Sequence, residues 1–404
     1  MNAVASPLRP DANKTTLLER ARALRPLIDK FGPAHEAQGE LAPEVVQALH
    51  DGDFFGMWVP KSLGGYETYP VEALEVLEEI SYAHGSTGWV LMATALSTGT
   101  AGAFVSDDYA KKVFSFGRFP VVGGQGSPGG KAVATKGGFI LSGDWNYGSG
   151  VKHADFIHTG AVIYEADGKP RTGKNGMPEI RVFVVPRADF TYGANWDVLG
   201  LRATGSIDYS CRDVFVPEGG SHITDANVPL RGGSLFRLGI RGLSTICHIG
   251  FTLGVARRTL DEIALIAQTK QSRLGNLADN PSFLEDYGTA EAKVRSIRAL
   301  IFETFGDIET TLKAGGEPST RQWTLARLCL NHVTWSMAEV TSFAFYAGGG
   351  TSLREGPLQR CFRDMHAATQ HLTSSPKIRA DCARELAGLA KGKVWGFMGL
   401  ADPA

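Results

Sequence analysis

The chain has 404 residues, 43% hydrophobic and 21% charged, an ordinary globular balance long enough for two or three domains. Its 41 basic and 42 acidic side chains leave a net charge of −1, without the basic surplus or stripe that nucleic-acid binding requires. No apolar run reaches the roughly 18 residues of a membrane span.

The start, "MNAVASPLRPDANKTT", has no apolar signal core, which predicts a cytoplasmic protein with a short frayed beginning. "TTLLERARALRPLIDKFG" has helical spacing and is expected to end at Gly32, and "LAPEVVQALHDGDFFGMWVP" reads as a second helix that breaks before Pro60. "PVEALEVLEEISYAHGSTGWVLMATALSTGTAGAF" predicts a helix to residue 83, a polar turn and a second, apolar helix. From "FPVVGGQGSPGG" to "CRDVFVPEGG" the runs are short, β-branched and aromatic, and Gly, Pro, Asn and Asp punctuate them. They predict antiparallel strands joined by turns. Helices return near residue 236 in four stretches, the last being "PKIRADCARELAGLAKGK", which predicts an antiparallel bundle. The expected class is α+β, with an N-terminal helical domain (1–118), a central antiparallel β-domain (119–222) and a C-terminal four-helix bundle (223–404).

Cys211, Cys247, Cys329, Cys361 and Cys382 are scattered and odd in number, which fits a reducing compartment and gives no metal-ligand spacing. "GGQGSPGG" precedes a β-stretch, whereas a dinucleotide fingerprint must open a helix, so NADH binding is not expected here. "GDWNYGSGVKHADF" (143–156) reads either as a Gly-rich hairpin with aromatic packing or as the wall of a cofactor site. Gly348, Gly349 and Gly350 can be a helix stop or an anion cradle.

Three strings in this order, on this domain pattern, resemble the acyl-CoA dehydrogenase superfamily over essentially the whole chain: "WVPKSLGGYE", "DVLGLRATGSIDYSCRDVFVPEG" and "YAGGGTSLREGPLQRCFRDMHA". The resemblance implies a flavin between β-domain and bundle and a homotetramer. It places Arg202, Thr204 and Ser206 at the flavin edge and the three glycines near a flavin phosphate or nucleotide end, often a neighbouring subunit's. The dehydrogenases' usual Glu stands eight places after the Asp of Arg-Asp. Here that place is Leu372, with His371 beside it.

This departure resembles the two-component flavin-dependent monooxygenases, a branch that includes the oxygenase component of p-hydroxyphenylacetate hydroxylase and the dibenzothiophene monooxygenases. These use reduced FMN or FAD from a separate NAD(P)H-dependent reductase, react it with O2 to a C4a-hydroperoxyflavin and pass one oxygen atom to an aromatic substrate. Their Trp-x-x-x-Ser-Gly is matched by Trp145 to Gly150, and their late histidine by His371. The implied roles follow. Ser149 accepts a hydrogen bond at flavin N5, Trp145 and Tyr147 wall the ring, and His371, titrating near neutrality, donates or relays a proton. Ser86, Trp89 and Ser97 fall on the helix expected to line the substrate pocket, though Trp89 also reads as core. That helix lacks the histidine with which several relatives hold a phenolate, which favours a neutral or heteroaromatic substrate such as an indole. The rival readings are an acyl-CoA dehydrogenase or oxidase with its base displaced, Glu355 being the nearest carboxylate, an N- or S-oxygenase of the same fold, and a catalytically silent flavin-binding or scaffold protein. His153 and His366 read as structural or as flavin neighbours.

Overall fold

The structure, a computed structural model, describes residues 15–173, 176–270, 275–396 and 399–402, so the start expected to fray lies outside the described residues. The first helix, α1 (Leu17–Gln38), opens on a capping box between Thr16 and Glu19. It does not stop at Gly32 but runs through Pro33 to Gly39, whose φ of 66° ends it. Gly32 is a close-approach position instead. A Cβ there would lie 3.1 Å from the Arg360 guanidinium, so helix and arginine pack only because the side chain is missing.

α2 (Pro43–Asp51) is followed by a 3-10 turn at Phe54–Gly56, then α3 (Pro70–Ala83) and α4 (Gly85–Phe104). The polar turn expected between the last two is a single residue, His84, which ends α3 and caps α4 by accepting the Thr87 N–H. α4 is buried on nearly every face, and α5 (Asp107–Val113) leads into the sheet.

The sheet has strands β1 (Val122–Thr135), β2 (Gly138–Trp145), β3 (Phe156–Tyr164), β4 (Ile180–Pro186), β5 (Thr191–Tyr192), β6 (Tyr209–Pro217) and β7 (Ser221–Ile223), in the order β5-β6-β2-β1-β3-β4-β7. It is mixed rather than wholly antiparallel, because β1 and β3 run parallel. After the β1–β2 hairpin the chain must cross to the far side of β1, and parallel neighbours need such a crossover. The crossover is residues 146–155, the stretch that holds Ser149.

The C-terminal helices are α6 (Gly239–Thr269), α7 (Pro281–Lys313), α8 (Thr320–Gly348), α9 (Pro357–Ala368) and α10 (Ile378–Leu386), followed by the small β8 (Val394–Trp395) and β9 (Leu400–Ala401). The fourth helix against α6 and α8 is α9. The stretch expected to fill that place forms only the short α10, packed on α8. By length and composition α6 could cross a membrane, but its apolar surface is buried against α3, α4, α8 and α9. One core runs from Trp58 and Phe54 through α4 to Phe251 and Phe305, joining the N-terminal helices to the bundle, while the sheet keeps a core of its own.

Candidate active site

The 146–155 crossover rests on α4. Gly150 has φ 74°, and a Cβ there would lie 2.5 Å from Thr94 Cγ2, so only glycine brings the loop onto the helix. Two backbone bonds fasten this loop to the next: Gly148 N–H donates to Ile207 O at 3.1 Å and Gly150 N–H to Thr204 O at 3.4 Å.

The second loop turns on Leu201, a non-glycine residue with φ 56°. Its N–H donates to Asp364 Oδ1 on α9 at 2.6 Å, and its carbonyl accepts from Trp196 Nε1 at 3.1 Å and Thr204 Oγ1 at 2.8 Å. These bonds hold the left-handed turn against its local cost. Asp364 is only 1% exposed. Burial, reinforced by Glu36, pushes its carboxyl up to about 7 against the opposing Leu201 N–H and nearby arginines.

Trp89, Ser149, Ser206 and Thr204 form one hydrogen-bonded chain. Trp89 Nε1 lies 3.1 Å from Ser149 Oγ, Ser149 Oγ 2.7 Å from Ser206 Oγ, and Ser206 Oγ 2.7 Å from Thr204 Oγ1. Its direction follows from its ends. The indole N–H can only donate and the Leu201 carbonyl only accept, so Thr204 donates to Leu201, Ser206 to Thr204 and Ser149 to Ser206. The Ser149 hydrogen is thereby committed, and what the hydroxyl still offers is its second lone pair.

Two imidazoles flank the same indole. The His371 ring stands edge-on to Trp89 with centroids 5.8 Å apart, the His248 ring likewise at 5.2 Å, and the two imidazoles lie 4.1 Å from each other. Phe251 closes another side of Trp89 at 5.0 Å. His371 does not share a helix with His366, since α9 ends at Ala368 and His371 caps the following 3-10 turn. Its Nδ1 accepts the Thr373 N–H, which puts the ring hydrogen on Nε2. Burial, with His248 alongside, holds this imidazole well below its usual range, so it does not titrate near neutrality as its residue type suggests. At pH 7 it is a neutral N–H donor.

Ser149, Thr204, Ser206, Trp89 and His371 are thus brought together, and several other expected residues are not. Trp145 is buried in the sheet's own core, stacked on Tyr209 with its indole N–H on Gly160 O, and so is not a wall of this cluster. Strand alternation puts it there, because Phe139, Leu141 and Trp145 point to one face. Gly130 and Gly143 make room for its ring, since a Cβ at either would come within 2.6 Å of the indole. Arg202 is exposed and bonds to Val198 O, turned away from the hydroxyls.

Tyr147 is 65% exposed with φ 57°, its ring edge-on to Trp196 on the rim of the two loops. Ser86 and Ser97 are buried on α4 and make no hydrogen bond to the chain of hydroxyls. Gly348, Gly349 and Gly350 end α8 ahead of the loop to α9, where Glu355 is exposed. Among the described residues, none of these four makes a hydrogen bond or ring contact with the cluster, and no carboxylate hydrogen-bonds to Trp89, Ser149 or His371. Leu372 is 53% exposed, so the turn at this place directs His371 inward and Leu372 out. His366 donates to Ser342 within the bundle, and His153 lies in the 3-10 turn after Ser149, held down to about 4 by burial. His248 and Phe251 were not anticipated. The only available signal was their spacing with Ser244 along one face of an apolar helix.

Family profiles match both helical regions: the acyl-CoA dehydrogenase N-terminal domain over residues 20–114 and its C-terminal domain over 246–376. An indole-3-acetate monooxygenase of Pseudomonas putida is 32% identical over 83% of this chain and 84% of its own length. The flavin-dependent monooxygenase, oxygenase subunit HsaA, of Mycobacterium tuberculosis is 26% identical over 88% of this chain and 90% of its own. The crystal structure of XiaF from a Streptomyces species, in complex with FADH2 and glycerol, shares the fold with a TM-score of 0.82 at 23% identity, covering 92% of this chain and 95% of that one. With its helical–sheet–helical order and its pairing of a serine with a late histidine, this chain belongs to the acyl-CoA dehydrogenase superfamily, in the branch of the flavin-dependent monooxygenases.

Proposed function

We propose that this oxidoreductase is the oxygenase component of a two-component monooxygenase, hydroxylating a small aromatic or heteroaromatic substrate with reduced flavin and O2. The observation that carries the reading is the direction of the Ser149 chain. An acceptor whose own hydrogen is committed fits the N5–H of a reduced flavin and not the bare N5 of an oxidised one. Ser149 and the exposed ring of Tyr147 are the residues that would border the isoalloxazine, with Thr204 and Ser206 acting behind Ser149. The glycine-rich turn after α8, whose backbone N–H groups are open to close approach, suits the nucleotide end of a flavin held across a subunit boundary in a homotetramer.

The relatives' names support the components. One is a flavin-dependent oxygenase subunit, which implies a separate NAD(P)H–flavin reductase, and another acts on an indole acid. When bound, reduced flavin supplies two electrons to O2, so that one oxygen atom enters the ring and the other leaves as water. Around that chemistry the chain's own residues have defined tasks. Ser149 orients the ring edge, the His371 Nε2–H donates to oxygen, and Trp89 and Phe251 keep water from the site. With both imidazoles neutral, the charge on oxygen is met by the His371 N–H dipole rather than by an imidazolium. The protein works in the cytoplasm, where its reductase keeps flavin reduced.

The test supplies the protein with an unrelated NADH–flavin reductase, FMN or FAD, and a panel of indoles and phenols. Aromatic product formed with O2 consumption supports the reading, and NADH oxidation that yields only hydrogen peroxide with every aromatic contradicts it.

A further inference from the structure

We infer that His248 is a substrate-binding residue, its Nε2 accepting a hydrogen bond from an N–H or O–H borne by the aromatic ring of the substrate. The inference rests on the oxygenase reading above and adds to it the polarity of the substrate edge. His248 sits on α6, which packs on α4, and nothing in its own sequence neighbourhood marks it as more than a core residue.

The tautomer is set by geometry. Nδ1 lies 2.7 Å from the carbonyl of Ser244, one turn earlier on the helix. A carbonyl only accepts, so Nδ1 carries the hydrogen and Nε2 carries a lone pair. Burial holds this imidazole down to about 4, so it stays neutral at working pH. The residue is 7% exposed, and Nε2 has no hydrogen-bond partner among the described residues. A buried acceptor left unpaired costs about 1–3 kcal/mol, so a group that satisfies it gains by that order.

The position of this lone pair makes it a recognition element. Nδ1 is turned back onto α6, and the ring packs against Trp89 and His371, with Ser149 one hydrogen bond beyond Trp89. His371 has the opposite tautomer, with its hydrogen on Nε2. The two imidazoles therefore do different work from adjacent places: His371 donates toward oxygen, and His248 accepts from the substrate. Trp89 and Phe251 supply apolar surface for a flat ring but no acceptor, since Phe251 has no polar atom and the indole has only an N–H donor, already spent on Ser149. A ring with a neutral N–H or O–H completes the site, whereas one without a donor leaves Nε2 unpaired. Because His248 is uncharged, it selects for the donor hydrogen and gives no preference for a phenolate.

The test is anaerobic calorimetry on the protein loaded with reduced FMN, using indole against benzofuran and phenol against toluene. Each pair is nearly the same in shape and differs in the donor. Wild type is expected to bind the donor member of at least one pair about tenfold more tightly. Discrimination confined to the first pair identifies an N–H donor, and to the second an O–H donor. In His248→Phe the ratio falls to about one. In His248→Gln, whose amide oxygen can reach the same place, part of it returns. Equal affinities within both pairs in wild type, or a preference that survives in His248→Phe, overturn the inference. Labelled product from indole in spite of equal affinities leaves the oxygenase reading standing alone. Donor discrimination without turnover of any aromatic leaves His248 as a binding residue and removes the oxygenase reading.

Discussion

Trp89 on α4 donates its indole N–H to Ser149 Oγ in the β2-to-β3 crossover at 3.1 Å, joining residues 60 apart in sequence. Through this bond the helical domain fixes which way a hydroxyl in the sheet domain faces. Ser206 and Thr204 complete the same constraint from the other loop, and Asp364 on α9 anchors that loop through Leu201. All three parts of the fold therefore act on the one lone pair that Ser149 leaves free.

The first prediction concerns this direction. In Ser206→Ala the Ser149 hydrogen loses its partner and becomes free to point at the flavin, so the preference for reduced over oxidised flavin should narrow by roughly tenfold, the scale of one hydrogen bond. Ser149→Ala should narrow it at least as far and also lower the yield of aromatic product per flavin oxidised. Binding of FMN in both redox states, measured anaerobically by fluorescence or calorimetry, checks this. An unchanged ratio in Ser206→Ala would show that the chain does not set the polarity of Ser149.

The second concerns Asp364. Its folded pKa is raised to about 7, so between about pH 4 and 7 the native state holds a proton that the unfolded state has lost, and this group favours folding less as pH rises. Asp364→Asn keeps an oxygen for the Leu201 N–H and removes the ionisation. Relative to wild type, the variant should be more stable at pH 8 than at pH 5 by more than about 1 kcal/mol. Denaturant unfolding at the two pH values measures the difference, and a variant whose relative stability is the same at both would refute the assignment.

The third has the opposite sign. Burial lowers His158 to about 3 and His35, His153, His222 and His248 to about 4. Below their unfolded value of roughly 6.5, the unfolded state takes up protons that the native state refuses, so their contribution is present above that pH and is lost as pH falls toward 4. Five such groups outweigh the single Asp364, and the melting temperature should drop steadily from pH 7 to pH 5. A melting temperature that is flat or rising over that range would contradict the buried, neutral state of these imidazoles.

Much of this was legible in the sequence because it is local. The helices came from periodicity, and the Trp-x-x-x-Ser-Gly and Gly-x-Arg-x-Thr-x-Ser strings lie on the two loops that meet. Trp145 stands apart from Ser149 because the strand's alternation divides the motif: Trp145 ends β2 facing the sheet core, and Ser149 lies past the turn. Arg202 differed from Thr204 and Ser206 for a related reason, since the 3-10 turn at 202–204 sends its side chain outward. The protonation of His371 was misjudged because burial depends on α6, which is distant in sequence. His248 was missed because, in a long apolar helix, a recognition residue and a core residue have the same pattern.

As an oxygenase, this site delivers oxygen from O2 to an aromatic ring. The most direct measurement mixes the protein, charged anaerobically with reduced FMN and then with reduced FAD, with 18O2 and an aromatic such as indole, and analyses the product by mass spectrometry. One 18O atom per molecule of product is the predicted result. Unlabelled aromatic with all oxygen recovered as hydrogen peroxide, together with bleaching of the oxidised flavin by an acyl-CoA, would contradict it and return the protein to dehydrogenase chemistry.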